Sequence, residues 1–598
     1  MSISFSLSNF KGFKELQSVN LKPLTVICGT NNSGKSSLIQ SLLLMKQSNP
    51  TKTLPNTYGQ LPLTFNDSYV QLGSFLDVVY NHSNDEEIVL KWKVENEKIE
   101  IRPHKYYSIN SELTVKIKNI EIENSLTQLE IFNFLFKDLN SDFSLELIRK
   151  NDGKYKIKFR NISIKDIIAK WIYRNYKYRD YRDNCISKIR ELFKYLDDKN
   201  IKLFQEGIIE EECFDNAQVT FQSIFPTQTL INNFPQQSSS ILKRIREKLP
   251  SMGRGKVSGY LEKLIDTIVT HLESIIIMIN LDKQQPQKDK YITIDLSISK
   301  EDEDLSNLSI SKEDEDLSNL SISKGVSLLD YYFSYRATVI LLRKLWSGFR
   351  YIGPIREAPK RFYPFNNLRI IDIGINGENM PLVLAVEKET IIPKYYRCIC
   401  EQKSIKKYEL RDKDKLIDSV NWWLSDFMKL PPIHSINELS GVINQVKVDS
   451  LGIKLDLTDV GFGVSQILPI IVECLRMTEG ETIILEQPEI HLHPSLQSKL
   501  ADFFICMAKS GKNLVVETHS EHFIYRLCLR IAQEESNDTR NLINILFVSC
   551  DEENKSSIAK PIEVNKYGEI ENWPVGFFDE NDSRDLISAT LKKRMSNL

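Results

Sequence analysis

Long apolar runs are missing from this sequence. No stretch approaches the ~18–20 consecutive apolar residues that a membrane-spanning helix needs, and ESIIIMIN (Glu273–Asn280) is far too short. The first residues, MSISFSLSNFKGF, lack the basic start and apolar block of a signal peptide and alternate instead like a strand. A cytoplasmic chain with no membrane segment is expected. An excess of charge is missing too. The 78 Lys and Arg against 80 Asp and Glu leave a net charge of −2, so no global field draws the chain to nucleic acid, and such contact must come from local patches. Cysteine is sparse and scattered. Among nine cysteines the one close pair, Cys398 and Cys400, has C-x-C spacing, neither a zinc knuckle nor a disulfide framework, so reduced thiols are expected. No N-K-x-D base-reading motif is present, since NKYG (Asn565–Gly568) lacks the acid, and this disfavours a GTPase.

What is there describes a soluble globular chain of two or three domains: 598 residues, 41% apolar and 26% charged. Two strand-like segments, ISFSLSNF and LTVIC, precede GTNNSGKSS and the helical LIQSLLLMKQ. Residues 91–165 look β-rich and residues 166–285 helical, rich in Lys, Arg and Tyr. LSISKEDEDLSN occurs at Leu296–Asn307 and again at Leu308–Asn319. Its acidic, serine-rich content cannot bury a core, so 296–324 is expected to be a mobile surface loop. From Lys413 to Ala532 helices and strands alternate in the α/β manner.

GTNNSGKS (Gly29–Ser36) fits G-x-x-x-x-G-K-[ST] in full and sits between a strand and a helix, where the mechanism needs it. Glycines let the backbone N–H groups face a phosphate at a helix N-terminus. Gly29, Asn31, Asn32, Ser33, Gly34, Lys35, Ser36 and Ser37 are the expected nucleotide contacts. Lys35 would reach the β/γ oxygens and Ser36 would hold Mg²⁺. Some 420 residues later come TDVGFGVSQILPII, a glycine-bearing turn opening a helix, then the strand TIILEQPE, a helix, and the strand NLVVETHS.

In that order these segments resemble the signature, Walker B, D-loop and switch elements of an ATP-binding-cassette ATPase. A P-loop and Walker B separated by a very large insertion resembles the SMC-like group. HLHP after Walker B narrows the resemblance to OLD-like bacterial AAA ATPases, and YIGPIREAP to a branch with a short C-terminal domain of unassigned function. The resemblance covers about residues 1–90 and 345–575. It implies an α/β ABC-type P-loop head formed by both ends of the chain, 1–90 and 346–540. An inserted β-plus-helical module would fill 91–345, and 541–598 would be a C-terminal extension. By the same resemblance Glu486 is the Walker B acid, holding Mg²⁺ with Ser36, and His519 is the switch histidine. Gly461 and Gly463 occupy the signature turn that caps ATP on an opposite subunit; it departs from L-S-G-G-Q, with Gly461 at the serine position and Ser465 further on, so contact there would come from backbone N–H groups. Gln71, with His82 as a rival, is the Q-loop candidate, and Arg356 either reaches a phosphate or forms a structural ion pair.

Gln487 stands where the catalytic glutamate is expected. Losing a general base costs typically ~10²–10⁴-fold in rate, so slow turnover is expected. Glu489, two residues on, could take the proton instead. His491 and His493 beside Glu489 invite a metal-site reading, against a D-loop packed at a dimer interface. The basic, aromatic stretch Lys170–Arg182 (Lys170, Arg174, Lys177, Arg179, Arg182) and the cluster from Lys243 (Lys243, Arg244, Arg246) suit phosphate contacts and base stacking, on DNA or RNA, or a protein partner. OLD-like relatives often carry a TOPRIM nuclease. The acids in VSCDEEN lack the D-x-D arrangement, so a separate effector subunit, a nuclease, is implied. The expectation is an ATP- and Mg²⁺-binding homodimer, or an assembly of such dimers, that gates an effector in anti-phage defence. The alternative is a DNA repair or maintenance clamp acting directly on DNA.

Overall fold

The computed structural model describes residues 3–49, 63–102, 105–122, 126–140, 144–163, 208–222, 225–231, 328–364, 372–401, 404–439, 443–534, 536–572 and 574. The chain divides into two units. One comprises Met1–Thr51, Thr64–Ser83 and Lys344–Leu598, the other Lys52–Leu63 and Asn84–Arg343.

The second unit is an antiparallel meander in which Ile88–Arg102, Lys105–Ile122, Leu126–Asp138, Ser144–Arg149, Tyr155–Ser163, Ile208–Gln222 and Phe225–Ile231 pair in chain order. Alternate apolar residues such as Leu113, Val115 and Ile117 are buried on one face, as period two requires. The helix Leu328–Ser347 packs there through Tyr335, edge-on to Phe134 and Phe136 at 6.4 and 5.2 Å. Two of the strands fall inside the segment 166–285 read as helical, which corrects that reading for 208–222 and 225–231. Strand propensity is decided by the neighbours a segment finds, which local composition does not reveal. The basic stretches 170–182 and 243–256 and the acidic repeat 296–324 lie outside the described residues.

The first unit is built on a six-stranded sheet. Its elements, in chain order, are β1 (Leu24–Gly29), α1 (Lys35–Ser48), β2 (Phe349–Ile352), α2 (Phe462–Arg476), β3 (Thr482–Glu486), α3 (Pro494–Lys509), β4 (Asn513–Glu517), α4 (Glu521–Gln533), β5 (Ile543–Asp551) and β6 (Ser556–Ile562). The strand order is β2-β3-β4-β1-β5-β6, parallel except for β6. The central strands read as continuous apolar runs because both faces are covered. Leu24, Val26, Ile483, Leu485, Leu514 and Val516 share one core with Ile467, Ile471, Phe503 and Phe504 of α2 and α3, while Ile27, Ile484 and Val515 are buried on the other face. Residues 543–562 supply two strands of this sheet, so 541–598 is not wholly an extension. Among the described residues no helix is long and apolar enough to cross a membrane.

A charge cluster ties α3 to α4. Asp502, 0% exposed, accepts from Arg530 Nε at 2.7 Å and Nη2 at 3.0 Å and from Arg526 Nη2 at 2.9 Å. Removing one member of a buried ion network leaves the others uncompensated, typically at ~3–5 kcal/mol. Asp502→Ala is expected to lower unfolding stability by about that much in urea titrations followed by tryptophan fluorescence; a loss below ~1 kcal/mol would contradict this account.

Candidate functional site

The loop Gly29–Gly34 turns between β1 and α1. Gly29 has φ +141°, and a Cβ there would stand 2.0 Å from the Val548 carbonyl oxygen of β5. Gly34 has φ +102°, and its Cβ would meet Ser557 Oγ at 2.7 Å. Both positions therefore need glycine for conformation and for space. Gly34 caps α1 with no side-chain hydrogen bond, so the positive end of the helix faces the loop. Lys35 Nζ folds back onto the loop, donating to Thr30 O at 2.6 Å and Gly29 O at 3.3 Å. Burial lowers its pKa, and the Glu517 carboxylate opposes that shift.

Three parallel strands bring their carboxyl ends beside this loop, where open α/β sheets bind ligands. The register sets Glu486 of β3 level with Glu517 of β4, and Glu517 level with Ile27 of β1. Ser36 Oγ donates to the Glu517 oxygens at 3.3 and 3.4 Å. Glu486 Oε1 accepts from the Tyr351 hydroxyl at 2.8 Å. Burial raises the pKa of both acids, and the Glu486 charge helps lift Glu517 to about 7. Sequence reading missed Glu517. The available signal was that TIILE and NLVVE are five-residue strands, each ending in Glu. His519, two residues on, reaches solvent, and partial desolvation, then the Lys35 charge, hold its pKa below the usual value.

Gln487 begins a tight turn with φ +44°. Its N–H donates to Glu517 O at 2.8 Å. Arg356, 5% exposed, donates through Nη2 to the carbonyls of Glu486 and Gln487 at 3.0 and 3.1 Å. It thus anchors the turn through these carbonyls, with the Glu489 carboxylate also acting on its charge. Burial lowers its pKa to about 10. Glu489 is 7% exposed, and its Oε1 accepts from the His519 N–H at 2.7 Å. That bond ties Glu489 to the backbone of His519, while its Oε2 is buried without a hydrogen-bond partner. His493 caps α3, accepting from Ser495 N at 3.3 Å, and His491 lies against Phe462. Among the described residues no group of three or more His, Cys, Asp or Glu could hold a metal. His493 and Glu489 are engaged elsewhere, which argues against the His491/His493/Glu489 metal reading.

Gly461 precedes α2 with nothing within 4 Å of where its Cβ would stand, and a Cβ on Gly463 would only touch Leu492 at 3.7 Å. Ser465 is buried and donates to Phe462 O, at the start of its own helix, at 2.8 Å. Gln71 is not brought to the P-loop. Its neighbour Val70 is hydrogen-bonded to Gln47 in the last turn of α1, roughly 18 Å along the helix from Lys35 at ~1.5 Å per residue. The His82 ring nitrogen is held at 2.6 Å by Leu76 O. Asn31, Asn32 and Ser33 complete the loop, with Asn32 at φ +59° and Ser33 Oγ bonded to Thr30 O at 2.8 Å, and Ser37 lies in the first turn of α1.

A family model described as an AAA ATPase domain matches residues 1–524. A second, described as a protein of unknown function (DUF3696), matches residues 539–585. No curated protein matches. Among solved structures, the SMC head domain from Thermotoga maritima aligns at 10% identity over 94% of this chain and 100% of that one, with a TM-score of 0.31. An SMC head bound to the C-winged helix domain of ScpA aligns at 8% identity, 95% and 99% coverage and a TM-score of 0.33. An SMC head domain with a coiled coil and joint from Pyrococcus yayanosii gives 10%, 94%, 97% and 0.32. At such scores the alignments carry no argument, and the architecture is read from the sheet itself.

Proposed function

The chain belongs to the AAA ATPase domain family, and from that premise we propose that it is a nucleotide-gated switch: an SMC-like, ABC-type head that binds ATP with Mg²⁺ and hydrolyses it slowly. The observation that carries this is the convergence of Lys35, Ser36, Glu486 and His519 on one loop, with an amide at Gln487. Lys35 would leave the Thr30 and Gly29 carbonyls for phosphate oxygens, and the start of α1 would receive the phosphate on its N–H groups. The oxygen donors of Ser36 and Glu486 fit a hard divalent cation. Bound there, Mg²⁺ would neutralise charge on the phosphates. Gln487 can orient a water but not take its proton, and His519, held by Glu489, would sense the terminal phosphate.

The open turn before α2 supports a head-to-tail dimer. Gly461 has empty space around it and Phe462 is 58% exposed, as suits a helix N-terminus waiting for an anion carried by another chain. Such a dimer, held by ATP, would license a separate effector, a nuclease in anti-phage defence. The test is scattering-detected chromatography of the full chain with its genomic neighbours co-expressed. A dimer is expected with ATP but not with ADP, with a nuclease co-eluting. A monomer in both nucleotides would overturn the switch, and strong stimulation of hydrolysis by DNA alone would favour a DNA clamp.

A further inference from the structure

Glu517 lies in the NLVVETHS segment, where sequence reading gave a role only to His519, yet the fold gives it the central position. The strand next to β1 is β4, not β3. Glu486 is therefore one strand removed from the P-loop strand, and Glu517 is adjacent to it. The junction is fixed on both sides. Thr518 N–H donates to Ile27 O at 3.0 Å, and Gln487 N–H donates to Glu517 O at 2.8 Å. The Glu517 side chain then meets the P-loop hydroxyl, with Ser36 Oγ almost equidistant from its two oxygens at 3.3 and 3.4 Å. Glu486 has one oxygen engaged by the Tyr351 hydroxyl at 2.8 Å. The two carboxylates thus end neighbouring parallel strands at the same level, and Glu517 meets the Ser36 hydroxyl of the loop.

We propose that Glu517 holds the P-loop serine and joins Glu486 around the divalent cation of the bound nucleotide, so that this site takes its cation with two carboxylates. The proposal rests on the reading of the P-loop as the nucleotide site. Two anions side by side repel one another unless a cation lies between them, and hard divalent cations select oxygen donors of this kind. The added anion tightens the hold on the cation, which suits a head that keeps its nucleotide rather than turning it over.

The experiment uses the full chain with Mn²⁺ as the spectroscopic probe and a non-hydrolysable ATP analogue. Bound Mn²⁺ is counted by paramagnetic resonance, and the analogue's affinity is measured separately in chelator. Glu517→Gln is expected to weaken Mn²⁺ binding about 10–100-fold, while affinity for the metal-free analogue stays within about threefold. Equal Mn²⁺ affinity in wild type and variant would mean that Glu517 only braces Ser36, and the proposal falls. Failure of the wild-type chain to bind the analogue would overturn the nucleotide reading beneath it, a separate and recognisable result. If Glu517→Gln does not fold, Glu517→Cys replaces it, because a thiolate prefers soft cations. Cd²⁺ should then gain over Mn²⁺ by about tenfold or more relative to wild type, with a new thiolate–metal absorption. An unchanged Cd²⁺/Mn²⁺ preference would refute the assignment.

Discussion

Gln487→Glu is expected to raise the steady-state rate of ATP hydrolysis by about 10²–10⁴-fold, the usual worth of a positioned general base. The substitution is isosteric, so the turn should survive it. The backbone of residue 487 is held through its N–H by Glu517 O and through its carbonyl by Arg356, and neither bond involves the side chain. What changes is chemistry alone, because a carboxylate accepts a proton and an amide does not. The gain should lie toward the lower end of that range. A third carboxylate beside Glu486 and Glu517 raises the proton affinity of all three. Phosphate release at saturating ATP, with a single-turnover measurement to separate chemistry from product release, gives the answer. An unchanged rate would show that proton transfer from water does not limit this enzyme.

Lys35→Ala is expected to abolish nucleotide binding at ordinary concentrations. The ammonium already sits across the mouth of the loop on two backbone carbonyls. A phosphate would exchange those neutral acceptors for charged ones. Hydrogen bonds to charged groups contribute ~1.5–3 kcal/mol each, so losing two weakens binding roughly 10²–10⁴-fold at ~1.4 kcal/mol per decade. Titration with a fluorescent ATP analogue measures this directly, and binding within about threefold of wild type would refute it. The fold should tolerate the change. Burial disfavours the Lys35 charge in the nucleotide-free protein, so its removal takes away an unfavourable desolvation along with two hydrogen bonds. Melting without nucleotide should barely move, while the stabilisation that ATP confers on wild type disappears.

The local features of this protein are legible in its sequence. The P-loop is, because strand, glycine turn and helix lie together within Leu24–Ser48, and each part is specified by its own residues. The buried parallel strands are, because full burial writes itself as TIIL and LVV. Glu486, Gln487 and His519 follow from their places after those strands. Other features depend on contacts between distant segments. Ser465 follows the glycine turn in sequence, and its hydroxyl bonds the first residue of its own helix. Glu489 holds the backbone of His519, 30 residues on. Strands form at 208–222 and 225–231, where composition suggests helix.

Sequence by itself therefore determined that the chain carries a phosphate-loop pattern, where Glu486 and His519 lie in the order of elements, and that an amide follows Glu486. Tertiary structure alone decided which acid meets Ser36. Strand order placed β4 beside β1, and register set Glu517 level with Glu486 and within reach of a hydroxyl 481 residues away. The reason is physical. A side chain's chemistry is local to its residue, but its partner is chosen by hydrogen-bonded strand pairing across the whole chain, which no window of sequence contains.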